Sequence, residues 1–197
     1  MGSSLEGMTV FLDRDGTLNE DTGYIASPEG LTLFPGVAKA IARLNHEGAR
    51  VILITNQSGV ARGLSTLSDV DAIHHKLKMD LQTEGGWLDA IYFCPHHPDE
   101  GCRCRKPNPG MIEQAQATME MVLSRSYVLG DKYLDMALAQ NIDAMGVLVT
   151  TSSYSHEALQ AIQAGSLKTA HVAASFPEAV DWVIQDGSGR HCEYPSH

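Results

Sequence analysis

The stretch Met8-Thr-Val-Phe-Leu-Asp-Arg-Asp-Gly-Thr-Leu18 joins an apolar run to two aspartates spaced i and i+2. Residues 8–12 have the length and unbroken apolarity of a strand buried on both faces. Similar runs recur at 50–54, 90–93, 127–129 and 145–149, with a weaker one at 171–173. Helical spacing lies between them. Val37, Ala40, Ile41 and Leu44 share a face that ends at Gly48, a C-terminal cap. Leu67, Val70, Ile73, Leu77 and Leu81 share a second face. Asn108-Pro109 predicts a helix start, with Asn as N-cap and Pro at the first helical position. Met111, Ile112, Ala115, Met119 and Val122 follow on one side. Residues 134–139 predict a short helix and 176–184 a closing one. Strands alternating with helices predict an α/β fold, a mostly parallel sheet with helices on both faces.

In such sheets ligands lie beyond the carboxyl ends of the strands. The residues at those ends are Asp13-Arg-Asp15, Thr55-Asn-Gln57, Cys94-Pro-His96 and Gly130-Asp131. Hydrophobic packing alone would not place polar and metal-ligating groups there. Asp13 and Asp15 repel at this spacing unless a cation or a shared proton relieves them. Mg2+ would do so, because it takes carboxylate oxygens together with phosphate oxygens. Gly16 permits a sharp turn that brings backbone N–H groups near an anion.

Composition narrows the partners. The formal net charge is -10, which disfavours non-specific binding to nucleic acid or to anionic membrane. An anionic substrate would be repelled at long range, so local cations must receive it. No apolar run approaches the length of a membrane span, and the N-terminal MGSSLEG has no apolar signal region. The expectation is one domain over 8–186, tails at 1–7 and 187–197, cytoplasmic location and a monomer. No inter-strand gap is long enough for an inserted cap domain. His46, His74, His75 and His156 fall on helical patterns and are expected at the surface, and Cys192 is expected to be a tail thiol.

The segment Cys94-Pro-His-His-Pro-Asp-Glu-Gly-Cys-Arg-Cys-Arg-Lys106 holds three of the four cysteines. Cys94, His96, Cys102 and Cys104 offer four N/S ligands, which suits a closed tetrahedral Zn2+ site. His97 is the alternative to His96. Disulfide pairing is disfavoured, because Cys102 and Cys104 are too close for an easy bridge to each other. The loop runs into Arg105 and Lys106, so zinc would order that lysine.

Asp-Arg-Asp-Gly-Thr after a buried strand resembles the first motif of the haloacid dehalogenase superfamily. Thr55 after the second strand resembles its second motif, Lys106 its third, and Gly130-Asp131-Lys132 with Asp135 its fourth. The resemblance implies a three-layer Rossmann-like fold and an Mg2+-dependent phosphatase. By that resemblance Asp13 is the nucleophile and Asp15 the acid and base. Mg2+ would be held by Asp13, the Asp15 backbone carbonyl and Asp131. Thr55, Asn56 and Lys106 would bind the transferring phosphoryl group. Arg62 and Arg105 are candidates for a second phosphate, since the planar guanidinium binds phosphate oxygens in pairs.

Cys-Pro-His…Cys-x-Cys-Arg-Lys-Pro is similar to the zinc-bearing branch that holds heptose-bisphosphate and histidinol-phosphate phosphatases. Thr55-Asn-Gln-Ser-Gly-Val-Ala-Arg-Gly63 and Arg105-Lys-Pro-Asn-Pro-Gly-Met111 resemble the heptose side, and imply the 7-phosphate of D-glycero-D-manno-heptose 1,7-bisphosphate as substrate. The short loop between His96 and Cys102 is nearer the histidinol-phosphate length, which keeps histidinol phosphate or another small sugar phosphate as the alternative. A nucleic-acid-end processing or binding module is disfavoured by the acidic balance and the lack of a basic stripe. The resemblance fades beyond Thr150.

Overall fold

The computed structural model describes residues 4–191. Its strands are β1 (Thr9–Leu12), β2 (Arg50–Asn56), β3 (Ala90–Cys94), β4 (Tyr127–Gly130), β5 (Met145–Val149) and β6 (His171–Ala173). They form one sheet in the order β3-β2-β1-β4-β5-β6. Every neighbouring pair is parallel. The helices are α1 (Val37–His46), α2 (Leu67–Gln82), α3 (Gly110–Gln116), α4 (Tyr133–Asn141), α5 (Ser155–Gln163) and α6 (Phe176–His191).

The two-residue side-chain period of each strand sorts the core into two layers. Val10, Leu12, Val51, Leu53, Tyr127, Leu129, Val147 and Val149 face α1, α2 and α6, meeting Ile41, Leu44, Ile73, Leu77 and Val180. Phe11, Ile52, Ile54 and Val128 face the other way, onto Met111, Ile112 and Ala115 of α3 and Leu138 of α4. Leu148 packs there on Met136 and Ala158, which brings in α5. Strands covered on both sides need an unbroken apolar run, which is why their sequences do not alternate.

The chain runs outward from β1 through β2 to β3, then returns to build β4, β5 and β6 on the other side. Neighbouring β1 and β4 therefore leave in opposite directions, and a crevice opens beyond their carboxyl ends. Asp13 follows β1 and Asp131 follows β4, so both lie at this switch point.

Several expectations change. The third helix does not start at Asn108-Pro109. It begins at Gly110, with no side-chain cap. The Asn108 amide instead donates to the Cys102 carbonyl at 2.9 Å, and the Gly110 N–H donates to the Arg103 carbonyl at 3.1 Å. A Cβ on Gly110 would sit 2.5 Å from that carbonyl oxygen, so glycine is what lets the loop close on the helix start. That helix stops at Gln116, short of Met119 and Val122. His74 is buried, not exposed, because it lies between the sheet edge and Arg14.

The tails also differ. α6 runs to His191, past the helix end expected at 184 and the domain end expected at 186. Leu5, counted in the N-terminal tail, is fully buried, and its N–H donates to the Glu47 carbonyl at 2.8 Å. It lies so close to α6 that a Cβ on Gly187 would be 2.1 Å from Leu5 Cδ2. Cys192 lies outside the described residues. Among those described, no helix is long and apolar enough to cross a membrane.

Leu5 belongs to the core, so Leu5→Ala should lower the unfolding free energy by about 2–4 kcal/mol in urea titrations. A loss under about 0.5 kcal/mol, the range of surface substitutions, would contradict that packing.

Candidate active site

The parallel register pairs Leu12 with Leu129, and the Asp13 N–H continues the ladder by donating to the Leu129 carbonyl at 2.9 Å. The Asp13 carboxylate is thereby held just beyond the sheet. Lys106 reaches it from the loop before α3, with Nζ 2.9 Å from Asp13 Oδ1 and 2.7 Å from Asp135 Oδ1. The same ammonium donates to the Ile54 carbonyl at 3.0 Å, which uses all three of its protons. Burial works against this charge, but Asp13 and Asp135 outweigh it and hold the Lys106 pKa above its ordinary value. The Asn56 side chain grips the Lys106 backbone from both sides. Its Oδ1 accepts from the Lys106 N–H at 3.1 Å, and its Nδ2 donates to the Lys106 carbonyl at 3.3 Å.

Asp15 is held differently. Arg14 Nε and Nη2 donate to its two oxygens at 3.0 and 2.9 Å, a forked pair. Asn19 Nδ2 and Gln57 Nε2 add bonds at 3.0 and 2.9 Å. Burial by itself would raise the Asp15 pKa, yet Arg14 and these donors together hold it below the usual carboxylate value. Arg14 has 0% exposure. Behind it, Nη1 donates to His74 Nε2 at 3.4 Å. Burial, then the Arg14 charge, push the His74 pKa down to about 3, so the ring is neutral and accepts at Nε2.

Asp131 is also fully buried, but among the described residues no cation pairs with it within 4 Å. Its contacts are hydroxyls, from Thr17 Oγ1 at 3.1 Å and from Ser152 Oγ. Burial, then the Asp13 and Asp135 charges, raise its pKa to about 7. Gly16 sits directly over it at φ +87°, and a Cβ there would lie 2.2 Å from Asp131 Oδ2. Ligand oxygens of Asp13, Asp131 and Asp135 lie within 4.8 Å of one another. A carboxylate this crowded and this poorly compensated fits a divalent cation. Lys132 Nζ already stands 3.4 Å from the Asp15 carbonyl and 2.7 Å from Asp21 Oδ2.

The cysteine loop closes as the spacing predicts. Cys94 Sγ lies 3.4 Å from Cys102 Sγ and 3.6 Å from His96 Nδ1. Cys104 Sγ lies 3.2 Å from His96 Nδ1 and 3.6 Å from Cys102 Sγ. A tetrahedron with Zn–S of about 2.3 Å has sulfur–sulfur edges of about 3.8 Å, whereas a disulfide needs about 2.05 Å. The four donors fit a tetrahedral metal and not a disulfide. His97 is turned away, capping the next turn and lying 3.3 Å from Asp99.

These groups open on a cleft of about 290 Å3 lined by Asp13, Asp15, Thr55, Gln57, Arg105 and Lys106, among others. Thr55 is buried, and its hydroxyl accepts from Gln57 Nε2 at 2.9 Å. Arg105 lines the cleft, and its buried Nη1 has no hydrogen-bond partner among the described residues. Arg62 does not line it. It is exposed and lies 5.9 Å from the ring centroid of Tyr24, which does.

With this geometry in view, the relatives are informative. The chain matches the HAD-hydrolase-like family over residues 103–179 and the polynucleotide kinase 3 phosphatase family over residues 11–134. A D-glycero-D-manno-heptose-1,7-bisphosphate 7-phosphatase of Thermosynechococcus vestitus is 40% identical over 88% of this chain and 94% of its own. A D-glycero-beta-D-manno-heptose-1,7-bisphosphate 7-phosphatase of Yersinia pestis is 44% identical over 89% of this chain and 88% of its own. The chain belongs to the haloacid dehalogenase family, among the heptose-bisphosphate phosphatases. The crystal structure of the B. bronchiseptica D,D-heptose 1,7-bisphosphate phosphatase complexed with magnesium and phosphate superposes with a TM-score of 0.82. It is 35% identical, over 90% of this chain and 98% of that one. Membership makes this protein a phosphoric monoester hydrolase.

Within this phosphatase's fourth motif, the work of Lys132 and Asp135 is visible only in the fold. Asp135 holds Lys106, and Lys132 spans Asp21, the Asp15 carbonyl and the Tyr154 ring, 5.0 Å from its centroid. Arg14 carries a signal in the sequence, a cation between two aspartates, but its partners are set by the fold. Residues 151–154 carry no motif. Ser152 bonds Asp131, Thr151 bonds the Gly16 carbonyl, and Tyr154 lines the cleft. Nothing in that segment's composition announces this.

The buried neutral His74 has a pH consequence. Unfolded His74 takes up a proton below pH 6.5, whereas folded His74 resists until about 3. Acid therefore favours the unfolded chain, and stability falls as pH drops through that window. The variant His74→Gln keeps an acceptor without the titration. Its Tm should fall less steeply than wild type between about pH 6.5 and 4.5. Parallel Tm profiles would refute the assignment.

Proposed function

We propose that this phosphatase hydrolyses the 7-phosphate of D-glycero-D-manno-heptose 1,7-bisphosphate through a phosphorylated Asp13. The observation that carries the reading is Asp13 held 2.9 Å from Lys106 at the switch point, in a chain with heptose-bisphosphate phosphatase relatives of 40% identity and more. An oxygen of Asp13 attacks phosphorus, and the bond from phosphorus to the sugar oxygen breaks. Asp15, an anion in the unliganded site, takes up a proton as the phosphorylated substrate binds and gives it to that leaving oxygen. It then takes a proton from the water that attacks the aspartyl-phosphate, which releases phosphate and restores Asp13. Lys106 and Thr55 bind the transferring phosphoryl oxygens, while Asn56 holds Lys106 in place. Mg2+ held by Asp13, the Asp15 backbone carbonyl and Asp131 would screen the anionic nucleophile from the anionic substrate.

The unpartnered Arg105 guanidinium supports a second anionic group on the substrate. Histidinol phosphate has one phosphate and would leave it idle. Cys94, His96, Cys102 and Cys104 would hold a structural Zn2+, joining the end of β3 to the loop that carries Arg105 and Lys106.

With Mg2+ supplied, kcat/KM should be higher on the heptose bisphosphate than on histidinol phosphate. The substitution Arg105→Met should lower the bisphosphate value by about tenfold to a hundredfold, mostly through KM. A preference for histidinol phosphate would overturn the substrate reading. Asp13→Asn should abolish turnover on both, by at least about a thousandfold. Elemental analysis should find about one zinc per chain, and its removal by a chelator should lower Tm. An active, folded preparation without zinc would rule out the structural site.

A further inference from the structure

The Asp15 carboxylate is saturated. A carboxylate offers about four acceptor positions. Here Oδ1 accepts from Arg14 Nε and Asn19 Nδ2, both at 3.0 Å. Oδ2 accepts from Arg14 Nη2 and Gln57 Nε2, both at 2.9 Å. A group that must hold a proton and face a leaving oxygen needs one of these positions free. One donor has to withdraw, and the others must keep the carboxylate in place when it does.

The surroundings separate the donors. Gln57 lines the cleft beside Asp15, and its amide nitrogen has a second acceptor in Thr55 Oγ1 at 2.9 Å. It can leave Asp15 without losing every bond. Asn19 is buried and does not line the cleft. Arg14 has 0% exposure, and apart from Asp15 and Gln57 Oε1 at 3.1 Å its guanidinium is held by His74 Nε2 at 3.4 Å, a contact that does not depend on Gln57. Its planar fork sets both the position and the plane of the carboxylate.

We propose that Arg14 is the positioning residue for proton transfer at Asp15, holding that carboxylate from inside the protein while the cleft-side oxygen serves the leaving group. This rests on the acid–base reading of Asp15 given above. Arg14 touches neither substrate nor reacting atoms. It acts by keeping the Asp15 proton aimed at the oxygen whose bond to phosphorus breaks, as Asp13 takes the phosphoryl group. Misdirected, that proton no longer assists departure of an alkoxide. Departure of a nitrophenolate needs little such help.

The test is therefore a leaving-group ratio, kcat/KM on a sugar phosphate divided by kcat/KM on p-nitrophenyl phosphate, with Mg2+ present. In Arg14→Met the ratio should fall about tenfold or more, with Tm confirming a folded chain. Arg14→Lys keeps the buried charge but not the fork, and should show the same fall. It decides the question if the Met variant does not fold. Equal losses on both substrates, or no loss, in a folded variant would overturn the proposal. Asp15→Asn is the reference. If its own ratio is unchanged, the acid–base reading has failed. If its ratio falls and those of the Arg14 variants do not, only the positioning role has failed.

Discussion

Three buried carboxylates meet where β1 and β4 end side by side. Oxygens of Asp13, Asp131 and Asp135 lie within 4.8 Å of one another. At an effective dielectric of about 20, two unit charges at that distance repel by about 3.5 kcal/mol. Lys106 offsets this at 2.9 Å from Asp13 and 2.7 Å from Asp135, but it does not reach Asp131. The surrounding structure either delivers that ammonium or accommodates the carboxylate it leaves uncompensated. Gly16 is an example. Its missing side chain is the space that the Asp131 carboxylate occupies.

Lys106 arrives on a loop, and loops place side chains poorly unless they are tied. This one is tied along its length. The Cys94, His96, Cys102 and Cys104 cluster anchors its start to β3. Asn108 bonds back to the Cys102 carbonyl, and Gly110 lets α3 begin against the Arg103 carbonyl. Asn56, at the end of β2, takes the Lys106 backbone by both its N–H and its carbonyl. A metal held by these four side chains would fix the backbone that carries Lys106 without touching the reacting atoms.

The two motif aspartates sit in contrasting surroundings. Asp13 shares Lys106 and faces other carboxylates, while Asp15 is wrapped by donors from Arg14, Asn19 and Gln57. Two residues of separation place them on different sides of one turn. Groups with different tasks in one reaction need such separate environments. A chain of -10 net charge receives an anionic substrate through this arrangement. Lys106, Lys132 and Arg105 line the cleft itself, so attraction is local even though the whole molecule repels.

All six strands, the parallel α/β order and the clustering of Cys94, His96, Cys102 and Cys104 were legible from residue order alone. Strands buried on both faces leave unbroken apolar runs, and metal ligands must be close in chain or fold, here in one short loop. The first motif was legible because chemistry restricts which residue types can stand at a strand end, while Lys106 and Asp131 were singled out by their resemblance to family motifs. What tertiary structure decided were the partners. Whether Asn108 caps a helix or braces Cys102, whether His74 meets water or Arg14, and whether Leu5 is tail or core all depend on segments distant in the chain. The same holds for Ser152 on Asp131 and Arg14 on Asp15, since a side chain's polarity states that it needs a partner and folding selects which one. Local periodicity determines burial patterns within an element, but it carries no information on what packs across from it.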